Sequence, residues 1–129
     1  MNRTAQLTQR EEGVSSASPP FLPILIDRIY RQLLLSQIVR IEAAGCYSWI
    51  YTRNGERFLT TQNILSLQVR LSGFWRVHRS HLINPLYILR PVQREGKLHL
   101  STGYQAPIAR RRRRQIRLQL RLLTYSHSY

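Results

Sequence analysis

An antiparallel, mainly β domain carrying two helices is the fold class this 129-residue chain predicts. Three observations point to it. Short runs rich in β-branched and aromatic residues recur from Phe21 to Ile108; turn pairs containing glycine separate several of them; and only two stretches have helical chemistry. The length is that of one domain. A hydrophobic fraction of 43% is enough for a real core, which argues against a wholly disordered basic chain.

In chain order, residues 1–20 are polar, lack periodicity and end in a Ser/Pro-rich stretch, so they read as a flexible N-terminal arm. The domain spans 21–123. Strands are expected around Ile24–Ile26, Ile29–Leu35, Ile38–Glu42, Tyr47–Thr52 and Arg57–Thr60. Arg53-Asn54-Gly55-Glu56 between the last two is a strong hairpin signal, because Asn-Gly tolerates positive φ. A helix follows, capped by Thr60 or Thr61, with Ile64, Leu67 and Leu71 at helical spacing and Ser72-Gly73 as its stop.

Phe74 to His78 alternates in the manner of a half-buried strand. It places Phe74, Arg76 and His78 on one face and Trp75 and Val77 on the other. Arg79-Ser80-His81 is a polar turn, and Asn84-Pro85 ends the element, with Asn84 satisfying backbone groups. Strands Leu89–Arg94, Lys97–Ser101 and Tyr104–Ile108 are separated by Glu95-Gly96 and Thr102-Gly103. From Ala109 to Leu122 the apolar residues alternate at first, as a strand would, but uninterrupted Arg, Gln and Leu favour a helix. Residues 124–129 read as a frayed tail.

Charge narrows the function. The net charge is +14, and 19 of the 20 basic residues are Arg. Residues 1–64 carry 7 Arg against 5 acids, whereas residues 65–129 carry 13 basic residues against Glu95 alone. A one-sided field of guanidinium forks fits a polyanion, through counterion release and bidentate contacts to phosphate or guanine. The single Cys46 excludes an intrachain disulfide, and with no basic flank it reads as inert. His78 and His81 stand at i and i+3, but His99 and His127 lack a ligand motif, which disfavours a metal site. Scattered acids and the absence of a glycine-rich phosphate loop argue against an enzyme. No cofactor is expected. With no signal-peptide core and no apolar run of spanning length, the expected setting is cytoplasmic, without a membrane partner.

Residues 74–88, FWRVHRSHLINPLYI, resemble the central signature of the LytTR-type DNA-binding domain, an aromatic-x-Arg-x-His-Arg-Ser core followed by an Asn. Ile41–Ile50 is similar to the family's I-E-x-x-G-x-Y-x-x-I segment, and Leu100–Arg111 to its closing hairpin and basic helix start. Together these cover roughly 22–122. The resemblance implies an elongated β sandwich of small antiparallel sheets whose loops enter successive major grooves of a bent site made of paired repeats, bound by two protomers. It implies a transcriptional regulator, with the input supplied by a separate sensor or receiver partner.

Residue by residue, the resemblance places Arg110 in the major groove, where Ala109 replaces the more usual preceding Ser, and Arg79 in a loop facing the duplex. It places the Gly45–Tyr47 loop in a groove as well, with Cys46 and Tyr47 where some members carry a basic or imidazole side chain. Tyr47, whose ring packs inward about as often, is a candidate donor to base or phosphate. Arg111 and Arg114 are candidate phosphate contacts, Arg76 is a phosphate contact or a solvated strand residue, and Ser80 is a phosphate donor or a turn cap. The other readings of the charge are a basic RNA-binding or ribosome-associated β domain, and a protein-interaction module with an incidental basic face.

Overall fold

The computed structural model describes residues 20–89 and 96–126. Among them, nine strands form three antiparallel sheets, accompanied by two α-helices and three short 3₁₀ turns. Strands β1 (Phe21–Ile26) and β2 (Ile29–Leu34) form a hairpin. Its two turn residues, Asp27 and Arg28, take the positive φ angles that a two-residue hairpin needs, 52° and 67°.

The central sheet contains β3 (Ile38–Ala44), β4 (Tyr47–Thr52), β5 (Arg57–Thr60), β6 (Trp75–His78) and β7 (His81–Ile83) in the order β5-β4-β3-β7-β6. The Asn54-Gly55 turn joins β4 to β5 as the sequence predicts, with Gly55 at φ 87°. Strands β8 (Lys97–His99) and β9 (Gln105–Pro107) make the third sheet. Of the expected strand Leu89–Arg94 and its Glu95-Gly96 turn, residues 90–95 lie outside the described residues, as does the N-terminal arm before Pro20.

Helix α1 (Ile64–Arg70) is capped by Asn63, whose Oδ1 accepts from the Ser66 amide at 2.8 Å, and not by Thr60 or Thr61. Thr60 is still paired in β5, opposite Ser48, so the helix can begin only after it. Helix α2 (Arg113–Ser126) follows a 3₁₀ turn over Arg110–Arg112; it continues past Leu122, where the sequence reading ended it, and residues 127–129 lie outside the description.

The five-stranded sheet is covered on both faces, which gives two cores. On one face Leu22 and Ile24 of β1 and Ile64, Leu67 and Leu71 of the α1 region pack on Ile38, Ile41, Ile50 and Leu82. On the other, Leu98, Leu100, Ala106 and Ile108 of the β8–β9 region and Ile116 and Leu120 of α2 pack on Val39, Val77 and Ile83. A register shift between Ile38 and Arg40 puts Val39 in the second core beside Arg40. In α2 the spacing of Ile116 and Leu120 settles the periodicity: those two are buried while Leu118 and Leu122 are exposed, which is helical rather than alternating.

Asn84 fastens the connections, as the Asn-Pro pair suggests. It is 4% exposed, its Nδ2 donates to the Ile38 carbonyl at 2.8 Å and the Leu35 carbonyl at 3.3 Å, and its Oδ1 accepts from the Leu86 amide at 3.0 Å. The Tyr87 hydroxyl donates to the Ser36 carbonyl on the same loop.

A second register shift, between Arg76 and His78, corrects the expected face assignment. Phe74 packs against the first core and Trp75 and Val77 join the second. Arg76 turns toward Gln68 of α1, but His78 does not follow it. The irregularity leaves His78 paired with His81, the two rings edge to face at 5.5 Å.

Candidate nucleic-acid interface

One end of the central sheet collects the candidate residues. The β3–β4 connection is the two-residue turn Gly45-Cys46, with Gly45 at φ 67°, and Tyr47 follows it, 45% exposed. The β6–β7 connection is Arg79-Ser80, at the same end, because β3 and β7 are antiparallel and Glu42 pairs with His81. The Ala43 amide donates to the Ser80 carbonyl at 2.9 Å and ties the two tips together.

The third contribution arrives through the backbone. β6 is the edge strand of its sheet. The Ala109 amide donates to the Val77 carbonyl at 2.8 Å, and the Ile108 amide to the Gly96 carbonyl at 2.9 Å. The edge that would otherwise offer unpaired backbone groups is therefore covered by the start of the arginine run. The residue after Ala109 is Arg110 and the second after Val77 is Arg79, so a single hydrogen bond brings two segments 32 residues apart in sequence to one junction.

The arginines divide into two groups. Arg31 lies over the Phe58 ring at 4.9 Å, Arg57 over Trp49 at 4.2 Å, and Arg70 donates to the Pro23 carbonyl at 2.7 Å. Arg40, 8% exposed, is held between Tyr51 at 3.7 Å and Tyr104 at 3.4 Å and donates to Glu42 at 2.8 Å. These guanidiniums are bound into the fold. Arg79, Arg110, Arg111 and Arg114 are exposed, and none of their guanidiniums has a hydrogen-bond or ionic partner among the described residues. The five-residue run is itself split. Arg112 donates to the Arg76 carbonyl at 3.3 Å, and Arg113 lies across Gly96 so closely that a Cβ there would collide with its guanidinium.

Arg76 and Ser80 sit differently from the other sequence candidates. The Arg76 guanidinium has three acceptors within the chain: the His78 carbonyl at 2.8 Å, Gln68 Oε1 at 2.5 Å and the Arg79 carbonyl at 2.5 Å. Burial, and then the neighbouring Arg112, lower its pKa from the ordinary guanidinium value. Ser80 lies between two imidazoles, its Oγ 2.9 Å from His78 Nδ1 and 2.9 Å from His81 Nδ1. His81 Nε2 is 3.0 Å from the Tyr104 hydroxyl and 4.0 Å from Glu42 Oε1. Burial is the main reason the His81 pKa falls to about 4, although Glu42 pulls the other way. Burial likewise raises the Tyr104 phenol, against the pull of Arg40, and keeps it a donor.

Sequence reasoning missed Gln68, Tyr104 and the Arg40–Glu42 pair, which sit on other elements and support the turn from behind. Arg40 and Glu42 at i and i+2 of one strand was the available signal, since such a pair shares a face. Among the described residues no group of three or more His, Cys, Asp or Glu could hold a metal ion, and no helix is long and apolar enough to cross a membrane.

Known proteins resemble this chain in sequence and in fold. The curated relatives include the heme-containing CO-sensing transcriptional regulators RcoM 2 and RcoM 1 of Paraburkholderia xenovorans (strain LB400). They are 31% identical over 123 residues and 32% identical over 114. The matches cover 88% and 81% of this chain but 46% and 42% of those proteins, so the chain spans less than half the length of these relatives. Among solved structures, the LytTr DNA-binding domain of a Bacillus cereus protein superposes with a TM-score of 0.63 at 16% identity, covering 79% of this chain and 97% of that one, a likeness of fold. The model of the LytTr DNA-binding domain matches residues 28–121, which include both hairpin tips, the His78–Tyr104 network and most of the arginine helix. The chain belongs to the LytTr DNA-binding domain family.

Proposed function

We propose that this chain binds duplex DNA with sequence preference and acts in transcriptional regulation, with Arg79 and Arg110 reading base edges and Arg111 and Arg114 holding phosphates. The observation that carries the reading is the Ala109–Val77 backbone bond, which sets the Arg110 run beside the Arg79 turn. Arg79 and Arg110, whose guanidiniums have no partner among the described residues, then flank one junction, and Arg111 and Arg114 continue the run from it. Free forks supply base-edge and phosphate contacts, whereas stacked or bonded ones supply rigidity.

The electrostatics favour a polyanion at the same place. Five consecutive arginines open a helix with no acidic residue in its first turn, against the sense of the helix dipole. Phosphate oxygens relieve that repulsion. Arg76 and Ser80 are positioning residues here, and Tyr47 offers a phenol from the adjoining tip. The relatives are described as transcriptional regulators, and the proposed role extends to paired sites bound by two protomers, with input from a sensor or receiver partner.

The test is a binding comparison of the chain with duplex DNA, single strands and structured RNA across a salt series. Preference for duplex, followed by recovery of a defined sequence from a random duplex pool, is the expected result. Preference for structured RNA would replace this reading with an RNA-binding one, and no binding to any of the three would leave a protein-interaction module.

A further inference from the structure

The hydrogen bonds around Ser80 have only one consistent proton arrangement, and it determines what His78 presents to solvent. The Ser80 amide, which can only donate, lies 3.2 Å from His78 Nδ1. That nitrogen is therefore an acceptor, and the neutral ring carries its proton on Nε2. Ser80 Oγ is 2.9 Å from the same Nδ1, so its proton also points there, because two lone pairs facing each other would repel. Its own lone pair then accepts from His81 Nδ1–H at 2.9 Å. His81 Nε2 is left unprotonated and takes the Tyr104 hydroxyl proton at 3.0 Å. Donors run in one direction, Tyr104 to His81 to Ser80 to His78.

At the far end, His78 Nε2–H has no partner among the described residues. Ser48 Oγ is the one buried side-chain nitrogen or oxygen among the described residues without a partner, so His78 Nε2 reaches solvent. The ring precedes Arg79 in the chain and follows Val77, whose carbonyl receives the Ala109 amide. It is held by Ser80 and by contact with the His81 ring at 5.5 Å.

We infer that His78 is a specificity-determining residue that donates its Nε2–H to an acceptor on a base edge in the major groove, and that Tyr104, through His81 and Ser80, is the positioning residue that fixes the donor tautomer. The inference rests on the duplex-DNA reading and deepens it. A neutral imidazole with a fixed tautomer is a donor only. It donates to purine N7, guanine O6 or thymine O4 and rejects the amino groups of adenine and cytosine. Arg79, one residue on, adds charge; His78 adds selectivity without charge.

The experiment selects bound sites from a random duplex pool with the full wild-type chain and with His78→Asn. Both are then titrated against the wild-type selected duplex and its single-base variants. Asn keeps an oxygen acceptor for Ser80, and its amide N–H groups stop short of the position that Nε2–H occupies. One position should lose about tenfold in discrimination in the variant while the others keep theirs, and the salt slope should not change. A purine at that position, replaced by its 7-deaza analogue, should weaken wild type and leave the variant unaffected. Tyr104→Phe should lose part of the preference at the same position, and it carries the test if His78→Asn fails to fold. Long-range ¹⁵N correlation spectra of the wild-type chain should place the His78 proton on Nε2.

An Nδ1–H tautomer overturns the inference. So does a loss spread evenly over all positions, or an unchanged preference. A wild-type chain that selects no sequence overturns the DNA reading and the inference together; a selected sequence that His78→Asn reads identically overturns the inference alone.

Discussion

Replacing Arg76 by methionine separates a guanidinium that shapes the interface from one that touches DNA. Methionine keeps most of the apolar stem and removes the donors that hold the His78 and Arg79 carbonyls and Gln68 Oε1. Each charge-assisted bond is worth ~1–2 kcal/mol net, and less where water can take its place, so two half-buried bonds and one exposed bond amount to roughly 2–4 kcal/mol. Relief of the burial cost and of the repulsion from Arg112 offsets part of that, leaving about 1–3 kcal/mol. Urea unfolding should show that loss as a lower midpoint at unchanged slope. DNA binding supplies the second readout. Each phosphate contact contributes ~0.9 to the slope of log K against log salt. Arg76→Met should leave that slope unchanged while eroding sequence preference, because the Arg79 carbonyl is no longer held. Arg111→Gln should lower the slope by ~0.9 with no loss of stability. An Arg76→Met chain of wild-type stability whose slope has dropped by ~0.9 would mean that Arg76 neutralises a phosphate, and the positioning role would be wrong.

Other consequences can be measured without DNA. Asn84→Ala leaves two carbonyls and one amide without their buried partner and should cost about 2–4 kcal/mol in denaturant unfolding. Ser48→Ala removes the one buried polar atom without a partner among the described residues, so stability should stay level or rise by up to ~1 kcal/mol. His81 is neutral in the folded chain because burial lowers its pKa from 6.5 to about 4. Its contribution is complete above pH 6.5, declines as the pH falls from 6.5 toward 4, and is constant below that. At ~1.4 kcal/mol per pH unit, reduced by solvent screening, the decline should total roughly 2 kcal/mol. His81→Asn should flatten the urea midpoint against pH in that window, and an unchanged profile would show that other groups dominate it.

Much of the fold was legible because local chemistry decided it. Gly55 needs positive φ, Asn84-Pro85 cannot continue a strand, and the arginine–leucine stretch lacks a breaker, so the turn, the stop and the second helix followed from residue type. The helix cap was misplaced because Thr60 and Asn63 are both good caps, and only the pairing of Thr60 with Ser48 decides between them. The face of His78 was misassigned because a register shift changes which side a residue points to, and strict alternation cannot show where one occurs. The chemistry of Arg76 and Ser80 was illegible for a related reason: their partners Gln68, His81 and Tyr104 come from α1, β7 and the β8–β9 hairpin. Sequence gave the charge and the turn, but tertiary contacts decide which arginines are free.

Directed cleavage tests the shared surface most directly. The exposed Cys46 carries an iron chelate in one chain, Ala109→Cys carries it in a second with Cys46→Ser, and each chain is bound to the duplex recovered from the random pool. Cuts from both positions should fall within one half-site, a few base pairs apart and along the same groove. Cuts in separate stretches of the duplex, or from only one of the two positions, would contradict a single arginine patch built around the Val77–Ala109 bond.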